Sequence, residues 1–154
     1  MKAGRREQGI AYLALLIAIA IVGVGIAAAG IVWSEASQRE KERELLFVGG
    51  QFRRAIQQYY ESGIAEKKYP ATLEVLLQDS RFPGTRRYLR QLYRDPMSGT
   101  AQWGLVRAPD GGIMGVYSLR DDVVAHRRTN FPAQLSGLEG KARTSEWQFS
   151  YVPR

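Results

Sequence analysis

The chain has 154 residues, contains no cysteine and carries a formal net charge of +7. The lack of cysteine excludes disulfides and thiol chemistry, so the fold must be stabilised by packing alone. The part of the chain after residue 33 is long enough for one small domain, and no second domain is implied.

The N-terminus joins a short charged leader to a long apolar segment. The leader, Met1–Gly9, contains three basic residues, and Ile10–Trp33 is a run of 24 uncharged, mostly apolar residues. As a helix this run would measure about 36 Å, against about 30 Å for the hydrocarbon core of a bilayer. We therefore predict a transmembrane helix over residues 10–33. The positive-inside rule then places the N-terminus in the cytoplasm.

The leader ends at Gln8-Gly9, and the apolar run follows immediately. This arrangement resembles a type IV prepilin or type II secretion pseudopilin leader. The resemblance implies cleavage after Gly9 by a prepilin peptidase, N-methylation of Ile10, and a retained helix that packs filaments. The chain departs from the family at the fifth mature position, where Ala14 replaces the usual glutamate.

Two other interpretations of the N-terminus remain open. Ala27–Ala29 before Gly30 form a small-residue site for the general signal peptidase, which would release a secreted domain. An uncleaved signal anchor is the other alternative. Both lack an assembly step.

Residues 34–63 are predicted to continue the helix as a stalk and then as a docking element. Ser34–Glu44 is polar on all sides, with oppositely charged pairs three and four residues apart. From residue 45 the apolar residues recur every three or four positions, which predicts a buried stripe. Gly49-Gly50 interrupts this stripe and indicates either close packing or a bend. The stripe consists of Leu45, Val48, Phe52, Ala55, Ile56 and Tyr59.

Residues 64–154 are predicted to form an exported α+β region. Thr72 and Thr85 are candidate N-caps of two short helices, over 73–78 and 86–93. Two apolar segments, 101–107 and 113–119, flank a strong turn signal and predict a hairpin. The alternation from Trp147 to Tyr151 predicts a third strand. We expect this three-stranded antiparallel sheet to cover the stripe through Trp103, Tyr117 and Trp147.

The order of long helix, short helical connector and antiparallel sheet is similar to that of G-type pseudopilins. Tyr69-Pro70, Asp95-Pro96 and Val116–Leu119 stand in the order seen in that family. The resemblance also implies a calcium loop, where Asp121 and Asp122 are the available carboxylates. Two adjacent carboxylates are fewer than calcium usually gathers, so a solvated turn is the alternative.

The sequence offers little support for catalysis or for a cofactor. His126 is the only histidine and lies in a basic stretch, which favours a surface role. No metal-ligand spacing is present, and we predict a non-enzymatic protein without a cofactor. The tryptophans and Arg86, Arg87 and Arg90 are compatible with a nucleic-acid surface. Core aromatics beside a solvated basic segment are the alternative.

These patterns together predict a pilin-like structural subunit with an α+β fold. We expect a minor or non-core type II secretion pseudopilin that supports protein export and assembles through its N-terminal helix. Its expected partners are other pseudopilin or pilin subunits, the prepilin peptidase and the membrane. The expected location is the inner membrane, with the C-terminal region in the periplasm. Alternatives are a minor pilin of a DNA-uptake or adhesion pilus, and a membrane-anchored periplasmic scaffold.

Overall fold

The computed structural model describes the backbone of residues 4–63 and 66–153. Within the first helix it describes the side chains of residues 11–23 and 33–61. The chain divides into two compact units, Met1–Gln38 and Arg39–Arg154. We call these unit 1 and unit 2, and each is described by itself.

Helix α1 extends over Gly4–Glu61 and contributes to both units. In unit 2 its apolar stripe is buried, because leucine, phenylalanine and isoleucine recur on one face. The helix ends where other groups satisfy its last carbonyls. The Tyr59 carbonyl accepts hydrogen bonds from the Arg81 guanidinium at 2.9 Å and from the Ser62 hydroxyl at 2.9 Å. A cation at this position also complements the negative end of the helix dipole.

The sheet of unit 2 has three antiparallel strands in the order β1-β2-β3. Strand β1 is Gly104–Arg107, β2 is Ile113–Tyr117 and β3 is Phe149–Ser150. The turn between β1 and β2 closes with a hydrogen bond from the Ala108 amide to the Gly112 carbonyl at 2.9 Å. Between β2 and β3, Val116 lies opposite Phe149, and both are buried.

The core of unit 2 lies between the sheet and the stripe of α1. The ring of Phe149 packs so closely on Gly49 that a Cβ atom there would approach it to 2.4 Å. Gly49 therefore permits the sheet to approach the helix. On the same helix, Phe52 contacts the ring of Trp103 edge-on, at 5.2 Å between centroids.

The remaining elements of unit 2 are short, and the two predicted connector helices are largely absent. Three 3-10 helices cover Glu74–Leu76, Ala133–Leu138 and Thr144–Glu146. Residues 86–93 form no helix, because the Leu76 carbonyl accepts the amides of Tyr88 and Leu89. The Asp79 amide also bonds to the Arg86 carbonyl, and these contacts hold the start of the segment against residues 76–79.

The prediction of a membrane-spanning first half of the long helix is wrong. Among the residues that the structure describes, no helix is both long and apolar enough to cross a membrane. The apolar stretch with described side chains, residues 11–23, is about 20 Å long, against about 30 Å for a bilayer core. The transmembrane segment over 10–33 and the single-pass inner-membrane location are corrected accordingly. The anchored-scaffold alternative required the same segment.

Candidate functional site

The described part of unit 1 exposes apolar side chains on every side of its helix. At about 100° per residue, residues 12–22 pass around the axis three times, and large apolar side chains occur in each turn. Each of them is between 45% and 67% exposed. A helix that is apolar all round is normally buried against other apolar groups. The residues concerned are Tyr12, Leu13, Leu15, Leu16, Ile17, Ile19, Ile21 and Val22.

The predicted processing residues lie at the start of the same helix. Gly9 and Ile10 are within α1, but their side chains lie outside the described residues. Ala14 is exposed within the apolar surface, so its methyl group is available to a partner. Cleavage and methylation stay predictions.

The residues predicted for the core lie together in unit 2. Leu45, Val48, Phe52, Ile56, Tyr59, Trp103 and Trp147 are buried. Tyr117 is half-buried, and its ring covers Gly104, where a Cβ atom would approach it to 2.3 Å. Because side chains alternate along a strand, Tyr117 lies on the sheet face opposite Val116.

Asp121 and Asp122, the residues of the calcium loop that the resemblance implies, each accept a hydrogen bond from an arginine. Asp122 pairs with Arg120 at 2.8 Å, and these hydrogen bonds lower the pKa of the Asp122 carboxyl. The Asp121 carbonyl accepts a hydrogen bond from Arg143 at 2.9 Å. Within the described ranges, no three His, Cys, Asp or Glu side chains group to hold a metal ion.

His126 is part of a contact with the stalk segment that the sequence did not indicate. Its backbone amide donates to the buried Glu42 carboxylate at 2.8 Å, and the Arg127 amide donates to the same group at 3.2 Å. The His126 Nδ1 atom lies 3.2 Å from Glu42. Glu42 is therefore a structural acceptor for a distant loop, although its segment is otherwise polar and exposed. The sequence contains no local signal for this pairing, because the partners are 84 residues apart.

A second buried carboxylate, Asp79, anchors the end of α1. Its carboxylate accepts hydrogen bonds from Arg81 Nε at 3.0 Å and from Arg81 Nη2 at 2.8 Å, and one from the Tyr88 hydroxyl at 2.9 Å. The hydrogen bonds from Arg81 lower the pKa of Asp79 below its ordinary value. Arg81 in turn stacks on Tyr59, 3.6 Å from the ring centroid. Burial raises the pKa of the Tyr59 hydroxyl.

The predicted basic and aromatic residues are brought together only in part. Trp103 and Trp147 are core residues, and Arg86 stacks on Phe82 at 4.0 Å. Arg87 and Arg90 instead line a groove beside α1 with Arg54 and Phe47. Phe47 could have been noticed in the sequence, because it is apolar but lies off the buried stripe.

Neither a protein-family model, nor a curated protein, nor a solved structure matches this chain. The resemblance to pseudopilins therefore stays a prediction based on the leader and the motif order. The function has to be argued from the surfaces of the two units.

Proposed function

We propose that this chain is a pilin-like structural subunit that assembles with other pilin-like subunits through the apolar helix of unit 1. The observation that carries the proposal is the exposed apolar surface around residues 12–22. The most economical role is that of a minor subunit in a type II secretion filament that supports protein export.

The energetics of helix association favour this use of the surface. Eight large apolar side chains of unit 1 are about half exposed. Covering the exposed half of each would contribute about 1 kcal/mol, or about 8 kcal/mol together. Association costs about 4–15 kcal/mol, so covering this surface offsets the cost in the lower half of that range.

The predicted cleavage of the leader also supports this role. If the peptidase cuts after Gly9, the mature chain begins at the apolar helix, with a free amine at Ile10. No charged side chain then precedes the surface that packs.

Site-specific photocross-linking in the native cells tests the proposal. A benzophenone amino acid placed at Ile17 should form an adduct with the apolar N-terminal helix of a pilin-like subunit. Mass spectrometry identifies the cross-linked peptide. The control position is Gln58, which is exposed on the unit 2 part of the same helix and should not form that adduct. Absence of any protein adduct at Ile17, or adducts only with proteins lacking such a helix, would contradict the proposal.

A further inference from the structure

One face of α1 in unit 2 is bordered by two open grooves that contain no acidic residue. The grooves have volumes of about 460 and 450 Å³ and share Phe47, Gln51 and Arg54. We call the surface around these three residues the Phe47 face. Among the described residues, neither Asp nor Glu lines either groove, although 14 acidic residues follow residue 33.

The Phe47 face concentrates positive charge that no acidic side chain of the described residues neutralises. Arg54 and Arg53 come from α1, and Arg87 and Arg90 come from the segment that faces it. Within the described part of the chain, none of these four forms an ion pair or a side-chain hydrogen bond. The Nε atom of Arg53 is buried and has no acceptor. That buried atom is out of reach of an external ligand, so the charge available to a ligand is that of Arg54, Arg87 and Arg90.

The face also presents a flat apolar platform. Phe47 is 61% exposed, and Gly50 follows it by three residues, on the same side of the helix. A Cβ atom at Gly50 would meet nothing within 4 Å, in contrast to Gly49, which makes room for Phe149. No contact within the described chain therefore accounts for Gly50. A glycine beside an exposed ring lets a planar group approach the helix backbone closely.

We infer that the Phe47 face binds single-stranded nucleic acid. A base would stack on Phe47 above Gly50, and phosphates would contact Arg54, Arg87 and Arg90. The side-chain amides of Gln51 and Gln58 line the groove that contains Arg87 and Arg90, and they can hydrogen-bond base edges there. An acidic peptide would use the arginines but leave the exposed ring without a function, so the stacking platform favours nucleic acid. This inference goes beyond the proposed assembly, which uses unit 1.

Fluorescence anisotropy with labelled oligodeoxythymidylate of about 15 nucleotides tests the inference. The full chain is held monomeric in a mild detergent, and affinity is measured at several salt concentrations. If three phosphates are contacted, the affinity should fall about 20-fold between about 50 and 200 mM salt. R87Q combined with R90Q should lower the slope of log affinity against log salt by about 1.4.

Two further variants distinguish a specific binding site at the Phe47 face from non-specific attraction to positive charge. Phe47→Ala should weaken binding about 5- to 100-fold with an unchanged salt slope, because it removes stacking but no phosphate contact. Arg86→Gln is the matched control, since Arg86 stacks on Phe82 and does not line the groove. It should leave affinity and slope unchanged. Circular dichroism should show all variants folded.

Three results would overturn the inference. The first is absence of binding at about 50 mM salt. The second is weakening by R86Q as large as that by R87Q combined with R90Q, which would indicate only a general positive charge. The third is competition by poly-glutamate as effective as by the oligonucleotide, together with no effect of F47A, which would assign the face to an acidic peptide.

Discussion

At the scale of single residues, Asp79 shows how a buried carboxylate couples two parts of unit 2. It accepts hydrogen bonds from Arg81 and Tyr88, and Arg81 also donates to the last turn of α1. The carboxylate must be ionised to hold Arg81 in this geometry. The stability of unit 2 should therefore depend on pH through this residue.

We predict that Asp79→Asn lowers the free energy of unfolding by about 2 kcal/mol at neutral pH. The folded-state pKa of Asp79 is depressed, so its contribution is present above the unfolded value of about 3.9. It is lost as the pH falls through the folded-state pKa. The difference between wild type and variant should therefore shrink below about pH 4. Urea unfolding at several pH values measures this.

Asp122→Asn provides the control for that experiment. Asp122 also pairs with an arginine, but both side chains are largely exposed. An exposed ion pair contributes little to stability, so this variant should unfold like the wild type. An equal loss of stability in both variants would show that burial of Asp79 is not the cause.

A second prediction at the residue scale concerns the adjacent glycines Gly49 and Gly50 of α1. Gly50→Ala should stabilise unit 2 by up to about 1 kcal/mol, because alanine favours the helix and its Cβ meets nothing. Gly49→Ala should destabilise it by about 1 kcal/mol or more, because its Cβ would overlap the Phe149 ring. Urea unfolding followed by circular dichroism compares the two. Stabilisation by both would mean that the sheet does not contact the helix at Gly49.

At the scale of elements, the contact between α1 and the sheet should dominate the stability of unit 2. Phe52 and Trp147 are completely buried, on the helix and just before β3. Replacing either with alanine should cost about 3–5 kcal/mol, since each leaves a large cavity. Phe47→Ala, on the exposed side of the same helix, should change stability by less than about 0.5 kcal/mol. Chemical denaturation of the full chain in detergent checks all three. A small effect of F52A would place it outside the core.

The segment 34–44 also differs from its sequence pattern at this scale. Its charges predict a helix without a buried face, yet Glu42 is only 3% exposed. The boundary between the two units falls at Gln38 and Arg39, inside this segment. Glu42 is buried because the loop at His126 and Arg127 covers it. The two backbone amides of this loop need an acceptor, and the Glu42 carboxylate provides one.

At the scale of the whole molecule, the proposed role as a filament subunit would begin with processing. We predict cleavage between Gly9 and Ile10 and methylation of Ile10, because the charged leader ends at Gly9 and the apolar run of the sequence starts at Ile10. Mass spectrometry of the protein purified from its native cells measures the N-terminus. G9L should leave the precursor uncut. An intact Met1, or an N-terminus at Gly30, would contradict this prediction.

Assembly should depend on Ala14. By resemblance to the family, a glutamate at this position pairs with the free amine of a neighbouring subunit, and Ala14 cannot do so. Expressed with its peptidase alone, the chain should form monomers or small complexes, and A14E should increase polymerisation. A18E, one helical turn further on, is the control, because its charge is displaced from the amine. Electron microscopy distinguishes the outcomes, and long filaments of the unmodified chain would refute a minor role.

Local patterns predict a helix over residues 34–63, the buried stripe and the hairpin, because periodicity and turn residues act between near neighbours. They fail for residues 86–93, where hydrogen bonds to Leu76 and Asp79 override helix propensity. The partners of Glu42 and Asp79 and the accumulation of arginines beside Phe47 also depend on long-range packing. Apolar residues identify the core because burying an apolar side chain stabilises the fold wherever that residue lies in the chain. Polar contacts need exact geometry between distant residues, which exists only after the chain has folded.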